Sequence, residues 1–140
     1  MYALGIDGGG SRTRALLCDA YGQIIGQGLS GGTNPRTCST AELKVHLQEA
    51  IEQATRSIDC SKIIAAHFGL AGAGDAETKA KVRKITKEVL GEQTTCTIGH
   101  DLEIALAGGL ANNTGIVLVA GTGSACYGRT CDGRSAKCGG

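Results

Sequence analysis

Apolar positions in this chain fall into short runs near both ends and into helical spacing between them. Residues 2–7 (YALGID) form an apolar run that stops at an acid and three glycines, which predicts a buried strand ended by a loop. Residues 14–18 (RALLC) and 23–29 (QIIGQGL) predict two more strands, joined by the turn Asp19-Ala20-Tyr21-Gly22. Strands linked this tightly make an antiparallel meander, and residues 30–35 follow as a loop. The period then changes. Ser39 and Glu42 read as a capping box, and Leu43, Leu47, Ala50, Ile51, Ala54 and Ile58 recur at helical spacing, predicting about five turns. Residues 62–70 (KIIAAHFGL) predict a fourth strand that runs into Ala71-Gly72-Ala73-Gly74. Asp75 is placed to cap a second helix with Val82, Ile85 and Val89 on its inner face, and Gly91 stands where a helix-ending glycine belongs. A short strand over 94–98 and a helix from His100-Asp101 to about Leu110 come next. Residues 115–120 (GIVLVA) predict a buried strand, followed by the loop Gly121-Thr122-Gly123-Ser124 and a hairpin of 125–129 and 135–138 around Asp132-Gly133.

A meander followed by alternating helices and strands resembles the layout of the ribonuclease-H-like ATPase fold, the α/β group with a mixed sheet that holds actin, sugar kinases and heat-shock ATPases. Layout alone does not give function.

Composition narrows the classes. The chain has 140 residues and a formal net charge of +1, which suits one ordinary domain and supplies no field for neutralising a polyanion. With one Phe, three Tyr and no Trp there is little on which nucleic-acid bases would stack. Nucleic acid is therefore not an expected partner. No apolar run is long enough to span a bilayer, and no basic region precedes an apolar stretch at the N-terminus, so neither a membrane nor secretion is expected. Seven cysteines without a C-x-x-C spacing read as free thiols in a reducing cytoplasm. Glycine, at 23 residues, is about twice its average share of roughly 7%.

Five of those glycines lie in two predicted loops. Asp7-Gly8-Gly9-Gly10-Ser11-Arg12-Thr13 joins the first two strands. Three glycines between an acid and a hydroxyl residue suggest backbone N–H groups left free to face an anion, because side chains there would hold a phosphate away. A loose hairpin turn is the plainer alternative. It is not a Walker A loop, since no Gly-Lys-Ser/Thr follows and no helix opens. The loop Ala120-Gly121-Thr122-Gly123-Ser124 repeats the same chemistry, and the two together suit two jaws on one nucleotide phosphate tail.

The segments Gly5-Ile6-Asp7-Gly8-Gly9-Gly10-Ser11-Arg12-Thr13, Thr33-Asn34, Gly69-Leu70-Ala71-Gly72-Ala73-Gly74, His100-Asp101 and Val117-Leu118-Val119-Ala120-Gly121-Thr122-Gly123-Ser124 resemble the N-acetylglucosamine kinase family, grouped with the BadF/BadG/BcrA/BcrD ATPases. The closing Cys138-Gly139-Gly140 resembles the start of that family's CGGWG segment. The resemblance spans essentially the whole chain. It implies the N-terminal lobe of a longer protein, cut near the lobe's C-terminal end, with the second lobe and the adenosine half of the cleft absent. The 140 residues alone are then expected to turn over little or no ATP. The implied activity is ATP-dependent phosphorylation of an amino sugar, N-acetylglucosamine foremost, at its 6-hydroxyl, with ATP and Mg²⁺ as cofactors. The implied setting is the cytoplasm, and a homodimer of the full-length protein is compatible with it. Two other roles stay open: an ATP-hydrolysing activator that feeds electrons to a dehydratase or reductase, and a sugar-sensing module without catalysis.

Residue by residue, the resemblance implies Asp101 as the base that accepts the sugar hydroxyl proton. As a plain helix cap, Asp101 would contribute about 0.5–2 kcal/mol instead. Asp7 is implied to hold Mg²⁺ through water. Its expected burial at the mouth of the sheet would make an idle carboxylate costly. Gly9, Gly10, Ser11 and Thr13 are implied to contact the β- and γ-phosphates, with Thr122 and Gly123 opposite. Asn34, Gly72 and Gly140 are implied to face the sugar. For Asn34 an ordinary turn before Pro35 is the alternative, and for Gly72 a plain strand-to-helix turn. His46 is expected at the surface, and His67 as a satisfied core histidine. Cys126, Cys131 and Cys138 lack the spacing of an iron–sulfur ligand set and are expected to be buried or idle thiols.

Overall fold

A computed structural model describes residues 1–110, 113–120 and 124–139 of the chain. The chain forms two compact units, Met1–His100 and Asp101–Gly140.

The first unit opens with the expected meander of β1 (Tyr2–Gly8), β2 (Arg12–Cys18) and β3 (Ile24–Gly31). Helix α1 (Thr40–Thr55) begins at the Ser39–Glu42 capping box, both of whose hydrogen bonds are made. It stops at Thr55, one turn sooner than the apolar spacing suggested, although Ile58 still packs against the core. Strand β4 (Ile63–Leu70) follows a single 3-10 turn, and α2 (Ala76–Leu90) is capped by Asp75 and ended by Gly91. Strand β5 (Thr95–Gly99) completes a five-stranded sheet of order β3-β2-β1-β4-β5. The pairs β1–β4 and β4–β5 are parallel, and the meander pairs are antiparallel.

Strand alternation sorts the side chains. Leu4, Ile6, Ala15, Leu17, Ala66 and Phe68 enter one core with Leu43, Leu47, Ile51, Val82 and Ile85 of the two helices. Gly5, Asp7 and Arg14 occupy the intervening, exposed positions. Asp7 is therefore not buried as expected. It alternates out of the core, and the cost of an idle buried carboxylate does not apply to it.

In the second unit α3 (Asp101–Gly109) packs on β6 (Gly115–Ala120) and β7 (Ser124–Arg129), and β8 (Ser135–Gly139) completes a three-stranded antiparallel sheet. Its buried core is Leu102, Leu106 and Tyr127. The GIVLVA strand is not buried as expected. Val117 turns toward Tyr127 and α3, while Ile116 and Leu118 are 74% and 68% exposed. Among the described residues no helix is long and apolar enough to cross a membrane.

Candidate active site

The sheet of the first unit has a switch point at β1, whose neighbours are the antiparallel β2 and the parallel β4. Crevices outside the carboxyl ends of strands at such points are where open α/β sheets bind ligands. Three loops meet at that end: residues 9–11 after β1, 32–34 after β3 and 71–74 after β4. Backbone bonds tie them together, with Thr33 N–H donating to Gly9 O at 2.9 Å and Ala71 N–H donating to Gly8 O at 2.7 Å.

Within the glycine loop the three glycines differ. A Cβ on Gly8 would strike Thr33 Oγ1 and the Leu70 side chain, so the fold itself requires glycine there. Gly9 and Gly10 have no positive φ. A Cβ on Gly9 would make only ordinary contact, 3.5 Å from Arg12 O, and one on Gly10 would meet nothing within 4 Å. Neither turn geometry nor packing requires those two glycines, which counts against the loose-turn alternative. Gly9 spends its N–H on Arg12 O at 2.9 Å. The N–H groups of Gly10 and Ser11 have no acceptor among the described residues, and both residues are exposed. The free donors are thus these two, and not that of Gly9.

Thr13 departs from its expected place. It is fully buried, its hydroxyl donates to Gly31 O at 2.7 Å, and Thr33 Oγ1 lies 2.8 Å away. With its hydrogen-bonding capacity used inside the fold, Thr13 braces the loop and does not line it. His46 departs too. It is half-buried, its Nδ1 lies 2.7 Å from Gly32 O, and its ring fills the place a Gly31 side chain would take. Cys38 adds a second donor to the same carbonyl at 3.1 Å. Sequence reasoning missed this clamp because it forms only when α1 packs against the end of β3.

Asp7 ends the exposed face of β1, opposite Arg14 on β2 and Gly69 on β4. Its carboxylate has neither a hydrogen bond nor an ion pair among the described residues. A free carboxylate at the root of two free amides is a donor set that fits a hydrated, phosphate-bound divalent cation.

Asn34 and Gly72 are brought together. Gly72 has φ +81°, and a Cβ there would strike Asn34 Oδ1. Asn34 Oδ1 accepts from Arg36 N–H at 2.9 Å, and the Asn34 carbonyl accepts from the amides of Thr37 and Cys38. The turn role of Asn34 is therefore real, yet it uses only the carbonyl end of the side-chain amide. Its Nδ2 donors are unspent within the described residues.

His67 is half-buried on the sheet, with Nδ1 2.9 Å from Thr97 Oγ1. Its satisfied state matches expectation, but its position is not in the core. Asp101 stands in the first turn of α3 with Glu103, where negative charge complements the helix dipole. Thr122, Gly123 and Gly140 lie outside the described residues.

Comparison with known proteins agrees with this layout. The model of the BadF/BadG/BcrA/BcrD ATPase family matches residues 4–140. An N-acetylmuramic acid/N-acetylglucosamine kinase of Clostridium acetobutylicum is 36% identical over 99% of this chain and 46% of its own length. An N-acetyl-D-glucosamine kinase of Dictyostelium discoideum is 28% identical over 98% of the chain and 46% of its own. A crystal structure of a candidate N-acetylglucosamine kinase from Chromobacterium violaceum superposes with a TM-score of 0.76 at 21% identity, covering 97% of this chain and 47% of that one. The fold is that of the ribonuclease-H-like sugar kinases and actin-like ATPases, as the element order predicted. The chain spans less than half the length of the relatives it matches.

Proposed function

The chain belongs to the BadF/BadG/BcrA/BcrD ATPase family, and on that premise we propose that it is the phosphate-gripping, N-terminal part of an ATP-dependent amino-sugar kinase. The reaction is transfer of the γ-phosphoryl group of ATP to the 6-hydroxyl of N-acetylglucosamine or a close amino sugar. The names of the relatives support that substrate class. The observation that carries the reading is the pair of acceptor-free amides, Gly10 and Ser11, beside the unpartnered Asp7 at the carboxyl end of β1.

In this mechanism the Gly10 and Ser11 amides donate to β- and γ-phosphate oxygens, where charge-assisted bonds are strongest. Gly9 shapes the loop, and Thr13 holds it through Gly31 and Thr33. Asp7 would hold Mg²⁺ through water, and the ion would supply neutralisation of phosphate charge. The family resemblance gives Thr122 and Gly123 a role in binding the same phosphates. Asn34 Nδ2, the backbone at Gly72, and Gly140 take sugar hydroxyls. Asp101 accepts the proton of the attacking hydroxyl as the new O–P bond forms and the bond to the departing ADP breaks. The chain covers 46% of the length of each of these kinases, and on this reading the 140 residues alone turn over little or no ATP.

The test is a coupled assay on the complete gene product with N-acetylglucosamine, glucosamine, N-acetylmuramic acid, N-acetylmannosamine and glucose. Amino sugars are expected to outpace glucose. Asp101→Ala is expected to lower kcat by about 10²–10⁴-fold with helix content unchanged. Full turnover by that variant would remove Asp101 from the chemistry. ATP hydrolysis stimulated by none of the sugars would favour the electron-transfer activator instead.

A further inference from the structure

The seven cysteines play no part in the proposed transfer, and the register of the second sheet separates two of them from the rest. Cys126 on β7 stands directly opposite Cys138 on β8. Among the described strand pairs no other cysteine faces a cysteine. Directly opposed residues of an antiparallel pair point to the same face. Their Cα atoms are about 4.5 or 5.5 Å apart, depending on whether the pair is hydrogen-bonded. Both values lie inside the roughly 4.4–6.8 Å that a disulfide spans. Cys138 is exposed and Cys126 is partly exposed, so a small oxidant reaches the pair without unfolding. Strand β8 is an edge strand, paired on one side only, by β7.

The remaining thiols are differently placed. Cys38 donates to Gly32 O and Cys60 to Thr55 Oγ1. Burial pushes the Cys96 thiol up, which disfavours the reactive thiolate. Cys18 faces Ala3 and Ile24. Cys131 is exposed in the turn that joins β7 to β8, outside their register.

We propose that Cys126 and Cys138 form a redox-active dithiol that closes to a cross-strand disulfide in exchange with small-molecule disulfides. The thiolate of Cys138 attacks one sulfur of oxidised glutathione, breaking its S–S bond and releasing one glutathione thiolate. The thiolate of Cys126 then attacks Cys138 Sγ in the mixed disulfide and releases the second glutathione. Two thiols are oxidised by two electrons, two protons are given up, and one disulfide is reduced to two thiols. The product joins β8 covalently to β7, the strand that opens at Ser124. This inference rests on register and thiol chemistry and is independent of the kinase reading.

The test equilibrates the full chain with oxidised and reduced glutathione in graded ratios, then alkylates the free thiols and maps peptides without reduction. The expected result is loss of two titratable thiols per chain, with Cys126 and Cys138 recovered in one disulfide-linked peptide pair. Cys126→Ser is expected to trap a glutathione adduct on Cys138, because the resolving thiol is gone. Cys131→Ser is expected to leave the bridge intact. Retention of both thiols at ratios that glutathionylate Cys131 would overturn the proposal, as would a bridge that uses Cys131 in place of either partner.

Discussion

Strands β1–β2–β3 and β6–β7–β8 follow the same order along the chain: strand, glycine-rich stretch leading to a Ser, strand, turn with Asp and Gly, strand. Around the first meander, α1 and α2 and the parallel strands β4 and β5 bring in Leu43, Leu47, Ile51, Phe68, Val82 and Ile85. The second has one short helix, and of its strands only Tyr127 is buried. Yet GIVLVA is more apolar than any strand of the first meander. Apolar content therefore does not decide burial. What decides it is how many elements return to cover a face, and that is a property of the chain beyond the strand.

Core truncation should split the two units most widely. Phe68 is fully buried in the central strand β4, so Phe68→Ala is expected to cost about 3–5 kcal/mol. That is a large part of the stability of an ordinary domain. Leu106→Ala removes one of three buried residues of the second unit, at about 2 kcal/mol or more. Its consequence is local: amide exchange in β6, β7 and β8 should quicken while β1 and β4 stay protected. Loss of protection in β1 on Leu106→Ala would merge the units and break the comparison.

A smaller effect separates fold from function inside the first glycine loop. Gly8→Ala drives a methyl into Thr33 and Leu70 and should cost about 1–3 kcal/mol. Gly10→Ala meets nothing and should change stability by no more than about 0.5 kcal/mol. In the complete protein, however, it should weaken nucleotide binding by roughly tenfold, the equivalent of about 1.4 kcal/mol. Thermal melts and nucleotide titration read the two quantities separately. A Gly10→Ala variant that binds as well as wild type would leave the loop as a turn and nothing more.

What the sequence made legible was local. Ser39 with Glu42, Asp75 and Gly91 announce helix ends because capping uses groups within four residues of one another. Alternation in β1 and β2 was equally readable, and so was the order of elements. The role of Thr13 was not, because its partners Gly31 and Thr33 lie 18 and 20 residues away and meet it through the β2–β3 register. His46 reaches Gly32 across 14 residues through the packing of α1 on β3. The exposure of Asp7 was misread because a residue near a strand's end takes its face from alternation and not from its place at the sheet mouth. In the candidate site, Thr13 and Thr33 were named from the sequence, but their buried, bracing role was not.

The smallest expected effect tests whether the helices that give the first unit its core depend on ionised caps. Asp75 accepts from the Thr78 amide at 2.8 Å and from the Thr78 hydroxyl at 2.8 Å, and these bonds hold its carboxyl below the ordinary value of 3.8. Hydrogen bonds from Ser39 likewise hold Glu42 below 4.5. The Arg36 guanidinium, 3.8 Å from Asp75 and largely exposed, adds little. For a lowered carboxyl the unfolded chain takes up the proton first, so the stabilisation is complete above the ordinary value. It is lost as pH falls through the lower, folded value. Asp75→Asn keeps a good N-cap acceptor for the Thr78 amide but cannot ionise. The variant should melt slightly below wild type at neutral pH, and the gap should close as the pH is lowered past 3.8. Thermal melts of both proteins from neutral pH downward measure this. A gap that persists unchanged in acid would mean that the cap works through shape and not charge, and that the covering helices of the first unit need no ionised end to form.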